Sequence, residues 1–242
     1  MCSHASDAFR ATFHAPGARV AWFSAVVCGS VVSTDAELRV LDIGCGTGDQ
    51  LFDLTARLPR ARLTGVDVSA ANITAAGLRR AVHPAGHRCT FEQCDYLVFR
   101  PAQPFDVLIT HSVLQFAAGG LARVTERIAE DAAPGALFLN VMPYRCPYND
   151  ALALVRRALR AVRVPVVDRL VFAVARALHG RSFDELLIAE RLEYAYAVPR
   201  QFEDDLARTL EARGFQTLCR EVAPHASPAQ LKHALRIMRR TF

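Results

Sequence analysis

Residues 40–50 read VLDIGCGTGDQ. The β-forming run Leu38 to Ile43 leads into three alternating glycines, Gly44, Gly46 and Gly48, and Leu51, Leu54 and Leu58 lead out at helical spacing. That order is strand, tight turn, helix, the opening of a βαβ unit. Glycines in such a turn let a ligand approach the backbone closely. Outward from this stretch the alternation continues. Strands are predicted at 39–43, 62–67, about 88–93, 105–110 and 136–142. Helices are predicted at about 48–58, from the N-cap Ser69 to about Val82, and at about 120–132, stopping at Pro134-Gly135. Strand and helix alternating in this way predict a parallel sheet with helices on both faces.

Two ligand classes compete for the glycine loop. A dinucleotide needs G-x-G-x-x-G, with pyrophosphate resting on the helix N-terminus. Here Asp49 stands where the third glycine belongs, and its carboxylate would repel pyrophosphate. A cationic ligand, by contrast, is attracted by the flanking acids Asp42 and Asp49. S-adenosylmethionine is such a ligand: it has no phosphate and carries a sulfonium and an α-ammonium group. The spacing D-x-G-x-G-x-G at 42–48 closely resembles the first motif of the class I S-adenosylmethionine-dependent methyltransferases. The resemblance covers 38–142 strongly and 199–239 weakly.

The resemblance implies an α/β, Rossmann-like three-layer sandwich. Its seven-stranded, mostly parallel sheet has the order 3-2-1-4-5-7-6, with strands six (about 215–222) and seven (about 233–239) as an antiparallel pair. Open α/β sheets bind ligands outside the carboxyl ends of their strands, where strand order reverses. The cofactor loop then comprises Asp42, Gly44, Cys45, Gly46 and Gly48. Asp67 ends strand two and matches the family's ribose-binding acid, with Val68 against the adenine. Asp95 is placed to meet the adenine amino group, and the backbone of Tyr96 to read the ring edge. The stretch FDVLITHSVLQF (105–116) matches the family's fourth motif and puts Thr110, His111 and Ser112 beside the methionine end. His111 is expected either as a general base or as a positioning residue. The product cofactor is S-adenosylhomocysteine. The N-P-P-Y type of motif found in many amino-methylating nucleic-acid enzymes is absent, so a nucleic-acid substrate is not expected.

Between strand five and the returning α/β pattern, Leu152, Val155, Leu159 and Val162 mark one amphipathic helix, and Val166, Leu170, Val174 and Leu178 a second. Pro165 separates them. This region, 144–198, is expected to form a helical cap over the cleft, with Tyr144, Tyr194 and Tyr196 as candidate substrate contacts. His14 and His179 are weaker candidates to face the cleft. Seven arginines fall between 151 and 181 against one acid, Asp168. They either attract an anionic substrate or acidic partner, or occupy the wet faces of the helices. A further helix is expected to start at Pro199 and end at Gly214. The organisation expected is therefore an N-terminal helical segment near the cleft (1–37), the cofactor-binding core (38–143), the cap (144–198) and the completion of the core (199–242).

The 242 residues suffice for one large domain with a sizeable core. Net charge is +5, but Lys232 is the single lysine among 29 basic residues, a skew of codon composition rather than the mark of a nucleic-acid binder. Seven cysteines without a pairing framework point to a reducing compartment, hence the cytoplasm. His83, His87, Cys89 and Cys94 are close in sequence, yet the two cysteines fall on opposite strand faces, so no metal is expected. The apolar run 20–32 is shorter than the ~20 residues a membrane span needs. Read as a signal peptide, it would leave the first core strand at the chain end after cleavage, so it is read as a helix near the cofactor cleft.

The sequence thus predicts transfer of a methyl group to an O- or N-nucleophile of a small molecule, as in specialised metabolism. It leaves open non-methylating chemistry with the same cofactor, or a non-catalytic cofactor-binding protein serving a partner. Oligomeric state is not legible.

Overall fold

The computed structural model describes residues 15–117, 119–179, 185–190, 192–224 and 230–242. Its sheet has seven strands in the order β3-β2-β1-β4-β5-β7-β6. The strands are β1 (Arg39–Ile43), β2 (Arg62–Asp67), β3 (Cys89–Gln93), β4 (Phe105–His111), β5 (Ala132–Pro143), β6 (Phe215–Val222) and β7 (His233–Arg240). The first five run parallel, and β7 is antiparallel to both β5 and β6.

Both faces of the central strands are covered, which is why β1 and β4 read as nearly continuous apolar runs. On one face, Leu41, Ile43, Leu108, Phe138 and Met142 pack under α4 (Gly120–Asp131) and α9 (Glu203–Glu211). On the other, Val40, Val107, Ile109 and Leu139 pack under α1 (Gly17–Ser30) and α2 (Asp49–Arg57). The apolar run at 20–32 is therefore helical up to Ser30, with Phe23 and Val27 buried on the sheet. Between β2 and β3 lies α3 (Ala70–Val82), and Ser69 caps it by accepting the Asn72 N–H.

Three boundaries differ from the sequence expectation. Strand β4 includes His111, because that residue still pairs with Val141 of β5. Strand β5 begins at Ala132, before Pro134-Gly135: the β4–β5 register shifts between Phe105 and Val107, and Gly135 takes φ +80°. This irregularity admits a dipeptide that otherwise stops a strand. The last long helix starts at Glu203, not Pro199; residues 199–202 run into it without helical structure, and Arg200 N–H donates to the Gln115 carbonyl at 3.4 Å.

Between β5 and α9 lie α5 (Pro147–Ala161), α6 (Pro165–His179), α7 (Glu185–Glu190) and α8 (Glu193–Tyr196). Asn149 fastens the start of α5 to the start of β7, accepting the Lys232 N–H at 2.8 Å and donating to the Lys232 carbonyl at 2.8 Å. Within this segment Arg163 bridges Glu193 and Asp168. Among the described residues, no helix is long and apolar enough to cross a membrane.

Candidate functional site

The glycine loop sits at the carboxyl end of β1. Gly44, Gly46 and Gly48 take φ of +75°, +54° and +80°. At Gly44 a Cβ would stand 2.4 Å from the Val113 side chain, so the β1 and β4 loops meet there only because a side chain is missing. The loop is tied to β2 by Gly44 N–H to the Val66 carbonyl at 2.8 Å and Gly46 N–H to Asp67 Oδ2 at 2.9 Å. The other Asp67 oxygen accepts from Ser69 N–H at 2.8 Å and Asn72 Nδ2 at 3.3 Å. The end of β2 is thus preorganised around one carboxylate.

Asp42 is buried, 5% exposed, and takes no hydrogen-bond or ion-pair partner among the described residues. Burial, with Asp67 and Asp49 adding negative charge, pushes its carboxyl group up to about 8 from an ordinary 3.8. A buried carboxyl group without a donor is costly. This is the environment that a cation relieves. It fits the α-ammonium and sulfonium groups of S-adenosylmethionine, and it does not fit pyrophosphate.

Asp49 has a different role from the one read in the sequence. Its carboxylate is met by Arg79 at 2.5 Å, the Thr47 hydroxyl at 3.0 Å and the Ala15 N–H at 2.9 Å. It opens α2, where negative charge is favourable, and it clamps α1 and α3 to the glycine loop. Its carboxylate is paired inside the protein, while its charge still acts on Asp42.

Cys45 turns inward. Its sulfur packs where Gly65 has no side chain, 2.7 Å from the place a Cβ would occupy, and burial raises its thiol well above the usual range. Val68, just after β2, is an apolar side chain left 38% exposed. Asp95 is exposed; its Oδ1 accepts the Leu97 N–H at 2.9 Å. The Tyr96 side chain is buried in the core, and burial and Asp131 raise its hydroxyl well above the usual range.

Thr110 and His111 point to opposite faces of β4, as strand alternation demands. The Thr110 hydroxyl is fully buried and takes no hydrogen-bond partner among the described residues. His111 projects on the same face as Asp42 and opens into a cavity of about 170 Å³. Arg19 and Trp22 of α1, Val141, Gln230, Leu231 and His233 also line it. The rings of His111 and His233 stack at 6.4 Å with an 11° interplanar angle, and Phe23 meets His111 edge-on at 5.6 Å. Burial, then Arg19 and His233, depress His111 to about 3. His233 Nδ1 lies 2.7 Å from the Leu231 carbonyl, an obligate acceptor, so that nitrogen carries the proton. Ser112 follows at φ +59°, the one non-glycine residue at positive φ among the described residues. Its N–H donates to the Val141 carbonyl at 2.7 Å, holding the exit of β4 beside the cavity.

Of the candidate substrate tyrosines, Tyr144 lies under Arg220 at 5.4 Å. Tyr196 donates to Asp168 and lies under Arg163 at 4.3 Å. Neither lines the cavity, and among the described residues no lining residue comes from 144–198. His14 and the side chains of His179 and Tyr194 lie outside the described residues. Arg19, Gln230 and His233 were missed by sequence reasoning; the one available signal was a cation at the head of an apolar run, Arg19 before 20–32. Among the described residues no group of three His, Cys, Asp or Glu could hold a metal ion.

A family model described as "Methyltransferase domain" matches residues 34–141. A trans-aconitate 2-methyltransferase of Azoarcus sp. (strain BH72) is 30% identical over 207 residues, covering 83% of this chain and 77% of that protein. The chain belongs to the class I S-adenosylmethionine-dependent methyltransferases. A second trans-aconitate 2-methyltransferase, from Methylobacterium nodulans, is 33% identical over 62% of this chain. The match spans only 54% of that methyltransferase's length, and 32% of the Streptomyces avermitilis relative. Among solved structures, the [4+2]-cyclase SpnF aligns with TM-score 0.62 and 16% identity over 90% of this chain and 80% of its own. Magnesium protoporphyrin IX methyltransferase from Synechocystis PCC 6803, solved with bound S-adenosylhomocysteine, aligns with TM-score 0.57 and 18% identity over 91% and 79%. At these identities the likeness is one of fold, and it extends to a cyclase as well as to methyltransferases.

Proposed function

We propose that this methyltransferase-family chain transfers a methyl group from S-adenosylmethionine to an O- or N-nucleophile of a small molecule. The observation that carries the reading is Asp42, a buried carboxyl group without a partner among the described residues, beside a positive-φ glycine loop. Asp67 would hold the ribose hydroxyls, Val68 and Asp95 would flank the adenine with the Tyr96 backbone at the ring edge, and Asp42 would face the cationic methionine end. When bound, the cofactor supplies an electrophilic methyl group on a good leaving group, so the protein's contribution is chiefly proximity and alignment. The cavity at the carboxyl ends of β4 and β5 would receive the acceptor, under α1. His111, held neutral near pH 7, is a poor base there and serves to position the acceptor. The Azoarcus and Methylobacterium relatives are named for trans-aconitate, which supports a small-molecule acceptor. Residues 38–143 would form the cofactor unit, completed by 199–242, with 1–37 at the cleft and 144–198 as a helical segment beside it that contributes no described residue to the cavity wall. A cytoplasmic site of action agrees with the cysteine pattern.

The test is calorimetric titration with S-adenosylhomocysteine and, separately, NAD. Micromolar binding of the first and none of the second supports the reading; the reverse overturns it. Mass analysis of products then separates methylation from cyclisation.

A further inference from the structure

Arg19 is a half-buried guanidinium that reaches Gln230 Oε1 at 3.3 Å and has no carboxylate within ion-pair distance among the described residues. Burial lowers its pKa below the usual arginine range. A cation drawn out of water without an anion is unfavourable, and an anion entering the cavity removes that cost. Around it the described walls are mainly apolar: Trp22, Val141 and Leu231 provide surface, and Arg19 is the one permanently charged group among the lining residues. His111 stays neutral to about pH 3, so it adds no second positive charge near neutral pH. The volume, about 170 Å³, falls below the ~300–1,000 Å³ usual for drug-sized ligands and leaves room for one ring or a short chain.

Resting on the methyltransferase reading, we propose that the acceptor is a small monocarboxylic acid with an apolar body, its carboxylate held by Arg19 and its body against Trp22 and Leu231. A tricarboxylate such as trans-aconitate would bring two further negative charges to a site with one fixed cation. The nucleophile then needs no base. One carboxylate oxygen forms the new bond to the methyl carbon, the methyl–sulfur bond breaks with its electron pair left on sulfur, and the products are a methyl ester and a neutral thioether. This accounts for a site whose inner histidine is too weakly basic to take a proton at pH 7.

Calorimetry on the full chain saturated with S-adenosylhomocysteine tests this, with phenylacetate, hexanoate, phenylacetamide and trans-aconitate as probes. At least one monocarboxylate should bind more tightly than trans-aconitate, and the neutral amide should not bind. Arg19→Gln should weaken the carboxylate at least tenfold with S-adenosylhomocysteine affinity unchanged, since a charge-assisted contact is lost. Should that variant not fold, Gln230→Glu, nearly isosteric, places an internal carboxylate beside Arg19 and should weaken the probe by a similar factor. Tighter binding of trans-aconitate, equal binding of phenylacetamide, or an unchanged affinity in the folded variants overturns the proposal. If monocarboxylates fail while S-adenosylhomocysteine binds, only this inference falls; if S-adenosylhomocysteine itself does not bind, the methyltransferase reading falls with it.

Discussion

Replacing Asp42 by Asn should make the ligand-free protein more stable, and increasingly so as pH rises. Asn closely matches the protonated acid in shape, so the folded state loses little. Asp42 titrates near 8 in the folded chain and near 3.8 when unfolded. Between those values the folded protein holds a proton that the unfolded chain has released, so wild-type stability falls as pH rises through that window. At about 1.4 kcal/mol per pH unit the penalty is on the order of 4 kcal/mol at pH 7 and grows by about 1.5 kcal/mol from pH 6.5 to 8. His111 titrates in the opposite sense but is common to both proteins, so the difference between them isolates Asp42. Urea unfolding can be followed by the fluorescence of Trp22, the only tryptophan, which stacks on Phe23 at 5.9 Å. The Asn variant should also bind S-adenosylhomocysteine less tightly, having lost the charge that faces the α-ammonium group. Wild type should release close to one proton on binding at pH 7, seen as a buffer-dependent heat. A stability difference independent of pH, or a less stable Asn variant, would refute the argument from burial.

Asp67→Ala should raise the dissociation constant for S-adenosylhomocysteine by roughly 100-fold or more. It should also cost about 1–3 kcal/mol of stability, because Gly46 and Ser69 lose their acceptor; titration and denaturation read the two effects separately. His111→Phe should protect the fold in acid: His111 stays neutral in the folded state to about pH 3 while the unfolded histidine protonates near 6.5, so wild type loses stability as pH falls below 6.5. Equal acid midpoints for the two proteins would contradict this. Gly44→Ala, at φ +75° with Val113 2.4 Å from the added carbon, should lower stability by about 2–4 kcal/mol and abolish measurable cofactor binding.

The fold of the half proposed to hold the cofactor was legible because it is local in sequence. The β1–turn–α2 signature lies within some twenty residues, and Asp67 falls at the end of the next strand. The cavity proposed for the acceptor was not, because its walls include α1 and the approach to β7, 211 positions apart in the case of Arg19 and Gln230. No periodicity in either segment signals the other. The pairing of Asp49 was not legible for the same reason: its partner Arg79 lies 30 residues on. Pro134-Gly135 and Pro199 are punctuation whose usual meaning was overridden, the first by a bulged ladder and the second by a tether to Gln115.

Because β7 runs against its neighbours, its first residue rather than its last arrives at the ligand edge of the sheet. Residues of α1, of the ends of β4 and β5, of the end of β6 and of the approach to β7 therefore meet at that edge around the cavity, and of these strands β4 is the direct neighbour of β1. On the proposed function, cofactor handling and acceptor choice fall in largely separate stretches of the chain. On that reading, drift in α1 or in the approach to β7 would change the acceptor while leaving the methyl-donor site intact.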